Sequence, residues 1–391
     1  MAPGDAEATA GGGLAGRSKL ASGPQMLPEP LGPTLAAVCH HARGTFHDLG
    51  ELAGGVVAGR ANDVSADGDV VVGCGQSDGG RVAYRWTPRT GARALAGQDA
   101  CAYGVSPDGH LMAGSIADPV WQTGRAAVTW QDDLPPQHLC LPVVPGGPTF
   151  MWFNVAYAVI DSGVVFGYGT QDHAYGDWIA LRAQNGILDW AGPSVVYAAS
   201  ADGAWLAGAS LPGHHVSVHY ATLNGTNLRY PQETICITPD LGDCTSTARD
   251  ISADGSVVVG EAFGPPPGQM MGGITLAFVW TAAEGMHWLP DIRRGIGAAA
   301  AYGINGRATA DGRSIIVGYA TDSVRQWATV WMDGSARTLE SVLAAQGVHV
   351  PWGWRLETAT ATSADGRVIV GEGTRPDGRK AGWRAVLAAR R

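Results

Sequence analysis

The sequence predicts an all-β chain folded as a seven-bladed β-propeller closed by an N-terminal strand. Three observations predict it. One motif recurs seven times, its spacing matches a four-stranded blade, and the two ends of the chain carry the two parts of one incomplete repeat. At 391 residues the chain would ordinarily divide into several domains, but a repeat fold uses this length as one body.

The motif is Ala-x-x-Val-Ser, then x-Asp-Gly, then an apolar run ending in Gly. Its copies are ANDVSADGDVVVG (61–73), AYGVSPDGHLMAG (102–114), AYAVIDSGVVFG (156–167), VYAASADGAWLAG (196–208), ARDISADGSVVVG (248–260), ATADGRSIIVG (308–318) and ATATSADGRVIVG (359–371). The aspartates, Asp67, Asp108, Asp161, Asp202, Asp254, Asp311 and Asp365, fall 41 to 57 residues apart.

Each copy reads as a hairpin. A strand of small residues comes first. The Asp-Gly pair is a two-residue turn signal, because glycine takes positive φ without steric cost. A Val/Ile-rich second strand follows. A third strand ends in an aromatic, at Trp86, Trp130, Trp280 and Trp331, and the recurrence marks these tryptophans as core. A fourth, short strand follows a Gly turn and carries Leu95, Leu289 or Leu339.

The seventh repeat stops at AGWRAVLAARR, before any fourth strand, while GTFHDLGEL (44–52) precedes the first repeat with Leu49 in the leucine position. The N-terminal strand is therefore expected to complete the last blade, since an open ring leaves a sheet edge unpaired. A β-helix or other open solenoid is the rival architecture, but it needs no complementing end strand. Residues 1–43, rich in Gly, Ala, Pro and Ser, are expected to be disordered or loosely attached, with the propeller occupying 44–391.

Charge narrows the partners. The net charge is −9, an acidic balance that repels phosphate, so nucleic acid is not expected. No apolar run reaches 18 residues, so no membrane span is expected. Arg17 and Lys19 are not followed by the apolar core of a standard secretory signal. Six cysteines are too sparse for a disulfide scaffold; Cys236 and Cys244 flank one polar loop, as a small disulfide ring or as two free thiols.

The x-S-x-D-G-x-x-V-V-G core, followed by an Ala-x-x-Trp strand and a Gly-x-x-x-Leu ending, resembles the HAF-repeat family of extracellular bacterial proteins over about residues 44 to 388. The namesake His-Ala-Phe triplet is degraded here; LAF at 276–278 comes closest. The resemblance implies export to the cell exterior or periplasm, and it implies no activity.

The repeated aspartates invite a calcium reading, but calcium needs six to eight oxygens converging on one point, and residues spread around a ring do not converge. They read as turn residues. The repeated serines Ser65, Ser106, Ser200, Ser252 and Ser363 are likewise structural, since a nucleophile is single and paired with a base. Chemistry is expected instead on the loops of the opposite face, which are longest in blades two to five. There His173, His214, His215 and Glu261, the last placed just beyond a strand, form a candidate acid/base set or a divalent-metal site. No cofactor is otherwise implied. Trp121, Trp152, Asp172, Tyr175 and Asp177 are the candidate ligand-binding residues, as aromatics beside polar groups suit sugar or protein contact. The expected function is a non-catalytic, monomeric binding propeller presenting a loop face to a protein or glycan. A lyase or hydrolase acting on a sugar or lactone at the channel mouth is the alternative.

Overall fold

A computed structural model describes residues 44–117, 124–139, 151–171, 178–184, 187–210, 216–223, 227–228, 233–235, 245–264, 273–292, 297–305, 314–322 and 324–389, with backbone alone described in 151–153, 170–171, 178–179, 187–194 and 210–235. Residues 1–43, and the disorder expected of them, lie outside the described residues.

The chain is an all-β propeller. Strand β1 (Thr45–Asp48) comes first in the chain, ahead of the first complete repeat. Strands β2 (Arg60–Val64), β3 (Val71–Ser77), β4 (Gly80–Thr87) and β5 (Gly91–Ala94) form one antiparallel sheet in chain order. Strands β6 (Cys101–Val105), β7 (Leu111–Ala117), β8 (Arg125–Gln131) and β9 (Gln137–His138) form the next. Strands β10 (Met151–Val159), β11 (Val165–Gln171), β12 (Trp178–Gln184), β13 (Ile187–Ala199), β14 (Trp205–Ser210), β15 (Val216–Leu223), β16 (Asn227–Leu228) and β17 (Glu233–Ile235) join in a continuous larger sheet. Strands β18 (Thr245–Ile251), β19 (Val257–Gly264), β20 (Ile274–Thr281) and β21 (Gly285–Trp288) follow, then β22 (Ala299–Ile304), β23 (Ile316–Thr321), β24 (Gln326–Met332) and β25 (Ser335–Thr338). A short helix, α1 (Leu339–Ala345), capped by the Thr338 hydroxyl, precedes β26 (Arg355–Thr362), β27 (Val368–Thr374) and β28 (Lys380–Val386). No helix among the described residues is long and apolar enough to cross a membrane.

The sequence predicts seven separate blades; the described strands form six hydrogen-bonded sheets. The difference lies in β13. Its first half pairs with β12 (Leu181↔Trp190) and its second half with β14 (Val195↔Ala209), so one unbroken strand fuses two repeats.

Strand β1 pairs antiparallel with β28, Phe46 against Ala385 and Asp48 against Trp383, so the N-terminal strand completes the last sheet. The inner strands close the ring as well. The Thr360 hydroxyl donates to the Ala61 carbonyl at 2.7 Å, and the Ala364 N–H donates to the Ala66 carbonyl at 3.0 Å.

The repeated turn is a four-residue loop rather than the two-residue turn predicted. In the first copy Gly68 N–H donates to the Ser65 carbonyl and Ser65 N–H to the Val70 carbonyl, with Gly68 at φ +80°. The buried Ser65 hydroxyl donates to Asp67 at 2.6 Å and accepts from Val70 N–H, while Asp67 accepts from Asp69 N–H. The same network recurs at Ser106/Asp108, Ser200/Asp202, Ser252/Asp254 and Ser363/Asp365. Serine and aspartate are therefore turn-locking groups, as the sequence reading held. Trp86, Trp130, Trp280 and Trp331 are all buried; Leu49 packs in the cluster of Trp86 and Leu95 in that of Trp130, while Leu339 is buried in the cluster of Trp354 and Trp383.

One covalent link departs from the sequence reading. Cys74 on β3 and Cys101 on β6 form a disulfide across neighbouring sheets. Cys236 and Cys244 lie outside the described residues.

Candidate functional site: the central channel

The first strand of every repeat carries a β-bulge at one position. The register shifts between Ala61 and Asp63, Ala102 and Gly104, Ala156 and Ala158, Val196 and Ala198, Ala248 and Asp250, Ala301 and Gly303, and Ala359 and Ala361. A bulge leaves its extra residue out of the ladder and re-aims that side chain. The residues so placed are Asn62, Tyr103, Tyr157, Tyr197, Arg249, Tyr302 and Thr360. All seven line one cavity of about 330 Å³ that the inner strands surround.

The ring is uneven. Asn62 and Thr360 are used up in holding neighbouring strands together, Asn62 Nδ2 donating to the Ala102 carbonyl at 2.7 Å. The other five form an aromatic arc. The rings of Tyr103 and Tyr157 lie 5.2 Å apart, and those of Tyr157 and Tyr197 5.1 Å apart. Arg249 follows, its guanidinium 5.1 Å from the Tyr197 ring centre and 5.8 Å from that of Tyr302. Two tyrosines from second strands widen the arc: Tyr168 stacks on Tyr157 at 6.0 Å, and Tyr319 lies 5.6 Å from Tyr302. Burial raises the phenol pKa of Tyr157, Tyr168, Tyr197, Tyr302 and Tyr319, so these hydroxyls stay protonated, able both to donate and to accept.

The arc's charges are tied down. Arg249 donates through Nε and Nη2 to a single oxygen, Oε1 of Glu261, with the Nε contact at 3.0 Å. No hydrogen bond reaches Glu261 Oε2 among the described residues. At the Tyr103 end, Arg81 donates to the Tyr103 hydroxyl at 3.2 Å, and Arg81 and Arg125 share Asp99, which holds that carboxyl well below its usual range. Arg60 lies over the Tyr302 ring at 5.6 Å.

Below the arc, Asp63 and Asp250 reach from one inner strand to the next. Asp63 accepts from Val64 N–H and Val105 N–H, and Asp250 from Ile251 N–H and Ile304 N–H, all between 2.8 and 2.9 Å. Burial pushes their carboxyls up to about 6 and about 7 despite these hydrogen bonds.

Of the residues the sequence singled out, Glu261 is the one whose side chain is described near the arc, as the partner of Arg249, though it is not among the residues that line the cavity. It sits within β19, opposite Thr247, and not beyond the strand end. His173, His214, His215, Trp121, Asp172, Tyr175 and Asp177 lie outside the described residues, and Trp152 is described in backbone only, on β10. Among the described residues no group of three or more His, Cys, Asp or Glu is placed to hold a metal ion. Sequence reasoning missed the arc because it searched the loops. Aligning the first strands on their opening small residue (Ala61, Ala102, Ala156, Val196, Ala248, Ala301, Ala359) shows tyrosine at the next position in four of the seven copies, a signal that was available.

No family model matches the chain, so the HAF-repeat resemblance rests on the repeat pattern alone, and no curated protein matches it. Solved structures do. The β-propeller domain of the Trilobed protease from Pyrococcus furiosus, described as having an open velcro topology, is similar at 9% identity and a TM-score of 0.52, covering 84% of this chain and 93% of that one. An oligogalacturonate lyase in complex with manganese is similar at 14% identity and a TM-score of 0.52, covering 88% and 96%. A puromycin hydrolase mutant complexed with PGG is similar at 11% identity and a TM-score of 0.52, covering 86% of this chain and 54% of that one. These likenesses establish the propeller fold.

Proposed function

We propose that this protein is a binding propeller whose site is the mouth of its central channel, where it takes a small ligand or the end of a chain-like one. The observation that carries this reading is the bulge series, which turns five consecutive inner-strand residues, Tyr, Tyr, Tyr, Arg and Tyr, onto one cavity. Strand residues on a closed ring are more rigid than loop residues, and rigid aromatic faces bind at low entropic cost. A cavity of about 330 Å³ lies at the small end of ligand pockets. In this reading the site is the channel rather than the loop face that the sequence favoured.

The enzymatic alternative keeps Glu261 from its candidate set among the described residues, and Arg249 engages that carboxylate. The fused sheet counts as two blades in this reading, since all seven inner strands carry the bulge, which makes seven in total. The Cys74–Cys101 disulfide favours an oxidising compartment, outside the cytoplasm.

The test is a thermal-shift screen of the full chain against oligosaccharides and short peptides, repeated with Tyr157→Ala and Arg249→Ala. A ligand at 100 times its dissociation constant stabilises by roughly 2.7 kcal/mol. A shift abolished by either substitution supports the channel site. A shift untouched by both places binding elsewhere and sinks this reading.

A further inference from the structure

We infer that the ligand is an uncharged, hydroxyl-rich saccharide end, read by the free oxygen of Glu261 and by the tyrosine faces of the arc. This rests on the channel reading above and names what the channel takes.

Glu261 carries the argument. Arg249 uses Oε1 alone, taking it with two nitrogens; no hydrogen bond reaches Oε2 among the described residues, and the carboxylate lies close enough to Tyr197 and Tyr302 to help hold their phenols protonated. An ionised carboxylate oxygen calls for a donor. A carboxylate ligand has none to give. A cationic ligand would meet Arg249 within the same pair. A sugar hydroxyl donates to Oε2 at no electrostatic cost.

The charge count agrees. Arg60, Arg81, Arg125 and Arg249 stand around the arc against Asp99, Glu261 and Glu372, the last at the register position in β27 that Glu261 holds in β19. Four guanidiniums against these three carboxylates and the enclosed carboxyls of Asp63 and Asp250 leave the channel between one positive and one negative charge, so no strong field selects an ion. The tyrosine faces supply the apolar side of the match. A pyranose ring presents C–H groups on one face and hydroxyls at its rim, the division that an aromatic wall with protonated phenol hydroxyls complements.

The experiment titrates the full chain by calorimetry with three classes of probe: neutral trisaccharides of glucose, N-acetylglucosamine and mannose; a trigalacturonate; and a tripeptide. Each is repeated with Glu261→Gln and Tyr157→Ala, whose melting temperatures are checked first. Glu261→Gln keeps the shape but replaces a charged acceptor by a neutral one. We expect a neutral trisaccharide to bind, Glu261→Gln to weaken it about tenfold or more, and Tyr157→Ala to weaken it also. Binding of trigalacturonate or tripeptide alone, lost in Tyr157→Ala, overturns the ligand class and leaves the channel site standing. Saccharide binding unchanged in Glu261→Gln overturns the role of Glu261. Binding unchanged in Tyr157→Ala, or no binding by any probe, overturns the channel site together with the inference.

Discussion

Leu49 donates its backbone N–H to the carbonyl oxygen of Gly382 at 3.1 Å, joining the first described strand to the last. The relation repeats within single blades, where Leu95 donates to Ala83 at 2.8 Å and Leu289 to Ala277 at 2.9 Å. The N-terminal segment thus enters the final sheet on the same terms that a native fourth strand enters its own. Leu49 is 2% exposed and packs with Leu52, Tyr84 and Trp86.

Deleting residues 1–40 is therefore expected to leave the melting temperature unchanged within a few degrees, whereas deleting 1–52 is expected to lower it sharply or prevent folding. Leu49→Ala in the full chain is expected to cost about 2–5 kcal/mol, the usual range for emptying a packed leucine site. Circular-dichroism melts of the three proteins decide it. Equal melting temperatures for the two truncations would remove the closure argument.

The turn network predicts a smaller and purely structural effect. Asp254 accepts from the Ser252 hydroxyl at 2.6 Å and from the Ser256 N–H at 3.1 Å, at the turn of its hairpin, and is not among the residues that line the cavity. Asp254→Ala is expected to cost about 1 kcal/mol and leave ligand affinity untouched. Gly255→Ala should cost more. Its φ is +74°, and an added Cβ would lie 2.2 Å from the Trp205 ring. Lost binding with an unchanged melting temperature in Asp254→Ala would contradict the structural role.

These turns show how far the sequence could be read. Ser65, Asp67 and Gly68 recur as a fixed spacing because one local network needs all three, so periodicity reveals them. The same holds for Leu49, whose position matches Leu95. The channel was hidden for the opposite reason. Tyr103, Tyr157, Tyr197 and Arg249 occupy the bulge position, where the fold demands an unpaired residue but not a particular one, so the side chain varies between copies. Cys74 and Cys101 meet because strand two of one repeat lies beside strand one of the next, a relation that appears only once the ring is closed. The fused sheet came from β13, whose residues 187–199 run without a break where the other repeats have a connection.

The disulfide between Cys74 and Cys101 closes a chain separation of 27 residues. Cross-linking a loop of that length stabilises by roughly 3.5 kcal/mol through the unfolded state. Guanidinium melts with and without reductant should differ by about that amount, and Cys74→Ser should match the reduced protein. Alkylation of native protein followed by mass spectrometry is expected to leave both thiols unlabelled. Full labelling of Cys74 in protein purified without reductant would show that the bridge is not formed.

Asp63 and Asp250 give the protein an unusual pH dependence. Their carboxyls rise from an ordinary 3.8 to about 6 and about 7, chiefly through burial, with the charge of Asp63 also raising Asp250. Between the ordinary and the folded values, the native state holds protons that the unfolded chain has already released. Stability from this pair is therefore fully present below about pH 4 and falls as pH rises through 6 and 7. His110, raised by its hydrogen bond to Asp132, acts in the same direction. His47, lowered by burial and by Arg384, acts in the other, since the unfolded chain binds its proton more readily. The two carboxyls are enclosed and the histidines are not, so the carboxyls should prevail, and the melting temperature should drop between pH 5 and pH 8. Asp250→Ala tests the cause. Alanine stands at the equivalent bulge-flanking position in Ala158, Ala198 and Ala361, so the backbone accepts it. The substitution leaves the Ile304 N–H without its carboxylate and should destabilise more at pH 5, where the wild-type group is still protonated, than at pH 8. By pH 8 the wild-type protein bears the cost of an enclosed charge that the variant lacks, so the gap between them should narrow. A gap that widens with pH would mean that Asp250 is stabilised in its charged form and that its two backbone hydrogen bonds outweigh burial.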